Sequence, residues 1–167
     1  IIVFPSLLKY DNSKKQPYVS FMDRLSQLIK EDDAVLFVRG YSFNDQHIND
    51  VLLNALDRTR TSHVIAQYFD DLNEDSHVAK LGMVQPKLSI YGKNNAIIGG
   101  KLVNWKLKTK PAIDDSIIMS LYFDEDAIET DKEWTGKGNF KLQDFAYFVK
   151  FLNYLNYENY IRSGDNK

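Results

Sequence analysis

Five consecutive apolar residues, Ala34-Val35-Leu36-Phe37-Val38, run without a polar interruption into Arg39-Gly40. A strand with one wet face alternates apolar and polar side chains. A run with no alternation therefore belongs to a strand covered on both faces, as in the centre of a parallel sheet. The next residues fit that placement. Tyr41-Ser42-Phe43-Asn44-Asp45 form a loop, and Ile48, Val51, Leu52 and Ala55 then recur at the steps of a helix from Gln46 to about Leu56. His63-Val64-Ile65-Ala66-Gln67-Tyr68-Phe69 is a second β-prone run. Strand, helix and strand in this order make a βαβ unit, whose crossover is right-handed in nearly all sheets.

The flanking segments extend the pattern. Ile1-Ile2-Val3-Phe4-Pro5 opens the chain as an apolar, strand-like run without an initiator methionine, which is expected of a strand in a longer chain. A polar loop from Tyr10 leads to Pro17, a residue suited to the first helical position. Val19, Met22, Leu25, Leu28 and Ile29 then stripe a helix to Lys30. Beyond Asp70 the signals are shorter. A helix is expected near Ser76 to Leu81 and a strand from Lys87 to Tyr91, with a tight hairpin at Ala96-Ile97-Ile98-Gly99-Gly100. The run Ile117 to Phe123 fits a strand or a short helix, and Trp134 to Asn139 a glycine-bearing loop. A last helix from about Leu142 to Asn156 carries Phe145, Phe148, Val149, Leu152 and Leu155 on one face, with Tyr147, Phe151 and Tyr154 beside them. The fold class is α/β, a Rossmann-like parallel sheet with flanking helices followed by an α+β extension that ends in a helix. The expected division is residues 1–85 for the nucleotide-binding part and 86–167 for the extension.

Composition narrows the partners. At 167 residues, 44% of them apolar, the chain is long enough to bury one core. A net charge of −2 supplies no basic field, so nucleic acid is not an expected partner. No apolar run approaches the roughly 20 residues of a membrane span, and a soluble, cytoplasmic protein is expected. The absence of cysteine removes disulfides, thiolate metal sites and a cysteine nucleophile from this segment. His63 and His77 have no partners at metal-ligand spacing, and no metal is expected. Ser6, Ser13 and Ser20 lack a G-x-S-x-G setting. Arg58 and Arg60, with Lys106, Lys108 and Lys110, read as solvated faces that are also able to meet phosphate.

Arg39 to Asn49 is the segment most able to carry chemistry, because it joins the carboxyl end of a strand to the start of a helix. In open α/β sheets ligands bind at that edge. Gly40 permits close backbone approach, and the first-turn amides of the helix favour an anion. Ser42 offers a hydroxyl, and Asn44 or Asp45 a cap. The alternative is an ordinary strand-end glycine, an ordinary cap at Asp45 and a surface histidine at His47. Asp70 and Asp71 end the next strand, where dinucleotide-binding folds place an acid on the ribose hydroxyls, although such a pair also suits a solvated loop.

Arg24-Leu25 and the stretch Ala34 to Asn49 resemble the later half of bacterial sirtuin-like proteins, in which a strand ends in G-Y-S-F-x-D-x-H-I-N. Pro5-Ser6-Leu7-Leu8-Lys9-Tyr10 and Gly138-Asn139-Phe140-Lys141-Leu142-Gln143-Asp144-Phe145 look like the same group. The resemblance implies the C-terminal portion of a sirtuin-like NAD-binding domain. Deacylating sirtuins carry Gly-Thr-Ser at the matching strand end, on the NAD phosphate and ribose. Gly40 and Ser42 inherit that role, with Tyr41 departing from the threonine. Tyr41, Phe43 and Asp45 complete the candidate cofactor loop, and Asp70, from its place at the strand end, is the candidate ribose contact.

The departure at Tyr41 is similar to the group that hydrolyses NAD in antiphage defence, where the nicotinamide–ribose bond is cleaved by water attack at the anomeric carbon. The family's catalytic asparagine and histidine lie upstream of the matching region, and no residue here corresponds to them. His47 follows the cofactor loop and is given a structural role. Two alternatives stand beside the NADase: a nucleotide-binding or assembly module, and an NAD-dependent protein deacylase. The aromatic C-terminal region is expected to meet copies of the chain or a partner protein.

Overall fold

The computed structural model describes residues 18–109, 121–123 and 133–164. The expected opening strand, the loop to Pro17 and residues 117–120 lie outside the described residues. The elements in chain order are α1 (Tyr18–Lys30), β1 (Val35–Arg39), α2 (Gln46–Asp57), β2 (His63–Gln67), α3 (His77–Val84), β3 (Leu88–Tyr91), β4 (Asn95–Ile98), β5 (Lys101–Asn104), β6 (Leu121–Phe123), β7 (Gly138–Phe140) and α4 (Phe145–Gly164). They form two compact units, residues 1–36 with 43–63, and residues 37–42 with 64–167.

In the first unit α1 packs on α2. The apolar stripe of α2 buries Leu52, Ala55 and Leu56, and Ile29 closes the inner face of α1. Polar bonds hold the turn after α1. The Ser62 hydroxyl donates to the Glu31 carbonyl at 2.7 Å, the Asp33 amide to Thr61 Oγ1 at 2.9 Å, and the His63 amide to the Ala34 carbonyl at 2.8 Å.

In the second unit the core is one face of the sheet. The strands lie in the order β1-β2-β3-β4-β5, with β2 and β3 parallel and the β3–β4 and β4–β5 pairs antiparallel. Pairing of Val64 with Leu88, Ala66 with Ile90 and Ile90 with Ile97 puts these five side chains on a common face, and all five are buried. Val78 and Ala79 of α3 are buried with them. Gly82 allows the close packing, since a Cβ there would stand 2.9 Å from Ile90 Cδ1 and 3.1 Å from Ile97 Cγ2. On the opposite face Tyr91 meets Trp105 and Phe140 edge to face, with ring centroids 5.5 and 5.4 Å apart. Each such pair adds about 0.5–1.5 kcal/mol beyond area burial. A bond of 2.6 Å from the Phe140 amide to the Lys93 carbonyl fixes β7 at the end of β3.

The fold class read from the sequence is the one observed, a Rossmann-like α/β sheet with flanking helices and a C-terminal helix. The hairpin at Gly99-Gly100 joins β4 to β5 as expected. One expectation is corrected. The unbroken apolar run of β1 reads as a central strand covered on both faces, yet among the described residues β1 is outermost and Val35 and Phe37 are 54% and 55% exposed. The run reports apolar side chains on both faces, and no described element covers the face that carries these two.

Two outcomes test this packing. Asn95 takes the Leu72 amide on Oδ1 and gives Nδ2 to the Leu72 carbonyl, both at 2.8 Å, where Leu72 is buried. Asn95→Ala strands both groups and is expected to cost about 2–3 kcal/mol, measured as a lower urea midpoint at unchanged slope. His63 is the second. Burial lowers its pKa below the ordinary 6.5, so the unfolded chain binds its proton more strongly. The stability this confers is complete above 6.5 and declines as pH falls below it. Urea midpoints between pH 7.5 and 5 are expected to fall less steeply for His63→Phe than for the parent chain.

Candidate functional site

The turn out of β1 begins at Gly40, whose φ of +65° lies in the left-handed region that favours glycine. Its constraint is conformational, since an added Cβ would meet nothing within 4 Å. Tyr41 is half-buried and Ser42 exposed, which leaves the serine hydroxyl accessible to a ligand. Arg39 immediately precedes this turn. Its Nη2 donates to the carbonyls of Leu142 at 2.7 Å and Gln143 at 3.3 Å. Its Cζ lies 3.9 Å from the centroid of the Phe148 ring. Desolvation lowers the pKa of the guanidinium, and the nearby Asp144 carboxylate partly offsets that.

Phe43 to Asn49 belong to the first unit. Phe43 is a non-glycine residue at φ +59°, and its side chain is buried. Such a conformation costs of order 1 kcal/mol or more and persists only where its surroundings hold it. Here the buried Asn49 donates Nδ2 to the Phe43 carbonyl at 2.8 Å, and the Asn49 amide donates to the Asp45 carbonyl at 3.0 Å. Asp45 is the N-cap of α2, and its Oδ1 accepts from the His47 amide at 3.1 Å and the Ile48 amide at 3.4 Å. Two of the first-turn amides expected to face an anion are therefore already engaged by a carboxylate. His47 is exposed and supplies a capped amide.

The acids after β2 have distinct settings. Asp71 holds the β3–β4 hairpin by accepting from Asn94 N and Nδ2, each at 2.8 Å. The Asp70 carbonyl accepts from the Lys93 amide at 3.2 Å, and its side chain is exposed. Among the described residues no cluster of three or more His, Cys, Asp or Glu side chains is placed to hold a metal, and no helix is long and apolar enough to cross a membrane.

Sequence reasoning assigned Gly40, Tyr41, Ser42, Phe43, Asp45 and Asp70 to the cofactor; it included Arg39 and Asn49 in the candidate segment without an individual role and gave Gln67 none. Asn49 was hidden because one asparagine inside an amphipathic helix looks like surface, whereas its target is a carbonyl six residues earlier. Arg39 was hidden because its acceptors lie more than 100 positions away in the chain.

If conformation alone governs Gly40, substitutions there rank by their tolerance of a left-handed backbone. Gly40→Asn is expected to cost a few tenths of a kcal/mol, Gly40→Ala about 1 kcal/mol and Gly40→Val more, read from urea midpoints. Equal losses in all three would point to steric crowding.

Residues 5–84, just under half of the chain, match the family model of the SIR2-like domain. The matched residues include the Gly40 turn, α2 and the strand end at Asp70. No curated protein matches the chain significantly.

Proposed function

We propose, from the SIR2-like domain that residues 5–84 carry, that the chain is part of an NAD-binding protein that hydrolyses NAD as an effector of bacterial antiphage defence. The observation that supports it most is the pair of left-handed residues, Gly40 and Phe43, in one short turn at the end of a strand. Strained backbone held by burial and by a buried amide is characteristic of segments that present groups to a ligand. In this reading Gly40 lets the cofactor come close, Ser42 gives a hydroxyl to phosphate or ribose, and Tyr41 and Phe43 complete the turn. Asp45 and Asp70 offer carboxylate oxygens to ribose hydroxyls.

The engaged amides of His47 and Ile48 refine these roles. Phosphate is better met by Gly40 to Ser42 than by the first turn of α2, whose end already holds a negative charge. The residues of this chain would then bind and orient NAD while the groups that cleave the nicotinamide–ribose bond lie elsewhere in the full protein. A role for the chain in oligomer assembly through the aromatic face of α4 is compatible with the same proposal. Phe145 is 71% exposed and Tyr147, Val149, Leu152 and Leu155 are exposed beside it.

NAD consumption by the protein from the complete reading frame tests this, with lysate from phage-infected cells as the source of any activator. Ser42→Ala is expected to lower NAD turnover about ten- to a hundredfold, the worth of one hydrogen bond to a charged group, with the urea midpoint unchanged. Turnover absent from the parent protein under every condition would reject the hydrolase. NAD binding without turnover would instead support a nucleotide-binding module, and loss of acyl groups from a peptide a deacylase.

A further inference from the structure

Arg39, the last residue of β1, is held in an unbalanced way. Its Nη2 is shared between two neutral carbonyls, those of Leu142 and Gln143, and its Cζ lies 3.9 Å from the centroid of the Phe148 ring and 5.5 Å from that of Phe145. Its Nη1 is buried and has no hydrogen-bond partner among the described residues. The carboxylate that acts on it electrostatically, Asp144, caps α4 by accepting from the Ala146 amide at 2.7 Å and the Tyr147 amide at 3.4 Å.

The neighbouring strand end repeats the imbalance. Gln67, at the end of the neighbouring strand β2, pairs with Tyr91. Gln67 is 7% exposed, and its Oε1 has no partner among the described residues; nor does the buried Oε1 of Gln143 on the covering segment. A buried polar atom left unpaired is costly. Beside Arg39, the position of a Gly40 Cβ has nothing within 4 Å.

We propose that Leu142–Phe148 is a latch closed over the strand ends by Arg39, and that an oxyanion of the phosphate or pyrophosphate class opens it by taking the guanidinium from the two carbonyls. The guanidinium is a planar fork that matches two anionic oxygens at once, which neutral carbonyls and aromatic rings match only in part. In the closed form one side of the fork, Nη1, is buried without a hydrogen-bond partner among the described residues. Anion binding and latch closure then compete for one side chain, so the anion shifts the population towards the open form. The latch requires only the oxyanion and does not depend on NAD cleavage.

Hydrogen exchange of the full protein, read by mass spectrometry over residues 142–150, tests it with inorganic pyrophosphate and with NAD as separate ligands. Saturating pyrophosphate is expected to speed exchange there by about tenfold or more, while β2 and β3 stay protected. Arg39→Lys, which cannot present a fork, is expected to exchange rapidly without ligand and not to respond to it. Phe148→Leu keeps an apolar side chain and is expected to open at several-fold lower pyrophosphate. Exchange that pyrophosphate leaves unchanged or slows in the parent protein, or an Arg39→Lys variant that responds as the parent does, overturns the latch. Opening by pyrophosphate but not by NAD leaves the latch standing and counts against NAD as the ligand.

Discussion

The register of the sheet is the constraint on which everything else in the second unit rests. Pairing Val64 with Leu88 commits Val64, Ala66, Leu88 and Ile90 to the α3 face. A shift of one residue would turn all four outward. The same register brings the last residues of two neighbouring strands abreast, Gln67 beside Tyr91. Polar groups gather at that edge because the strands stop there and the face can no longer be purely apolar. The Tyr91, Trp105 and Phe140 rings pack together at the end of β3, and the segment before α4 accepts a hydrogen bond from Arg39.

The turn after β1 shows how a short sequence carries strain without losing definition. Two left-handed residues three positions apart would leave an isolated turn disordered. Here Phe43 is pinned by its buried ring and by Asn49, and Asp45 starts α2 immediately afterwards. The helix cap and the turn are thus one device, and the amides that an anion would use at a bare helix end are occupied in making it. In the proposed reading this moves the phosphate contacts towards Gly40 and Ser42.

Charge acts through the same kind of local arrangement. The chain as a whole is nearly neutral, so the placement of individual groups outweighs any long-range field. The Arg39 guanidinium, drawn into the second unit at the strand ends, is met by backbone carbonyls, while the Asp144 carboxylate near it serves as a helix cap. That division leaves Arg39 only partly satisfied, and the competition between latch and ligand follows from it.

Much of the fold was legible in the amino-acid sequence alone. Apolar runs and three- and four-residue stripes placed β1, α2, β2 and α1 within a residue or two, and Gly99-Gly100 placed the hairpin, because period and turn chemistry are local properties. The stretch from Gly40 to Asn49 resembles sirtuin-like proteins for the same reason, being contiguous, and it lies within the residues that match the SIR2-like domain model. Tertiary structure decided what depends on distant partners: that β1 presents Val35 and Phe37 outward, that Asn49 serves Phe43, and that Arg39 is bound by carbonyls from Leu142 and Gln143. No periodicity records such pairings, since they arise only when sheet register and a docked segment bring remote backbone atoms to one side chain.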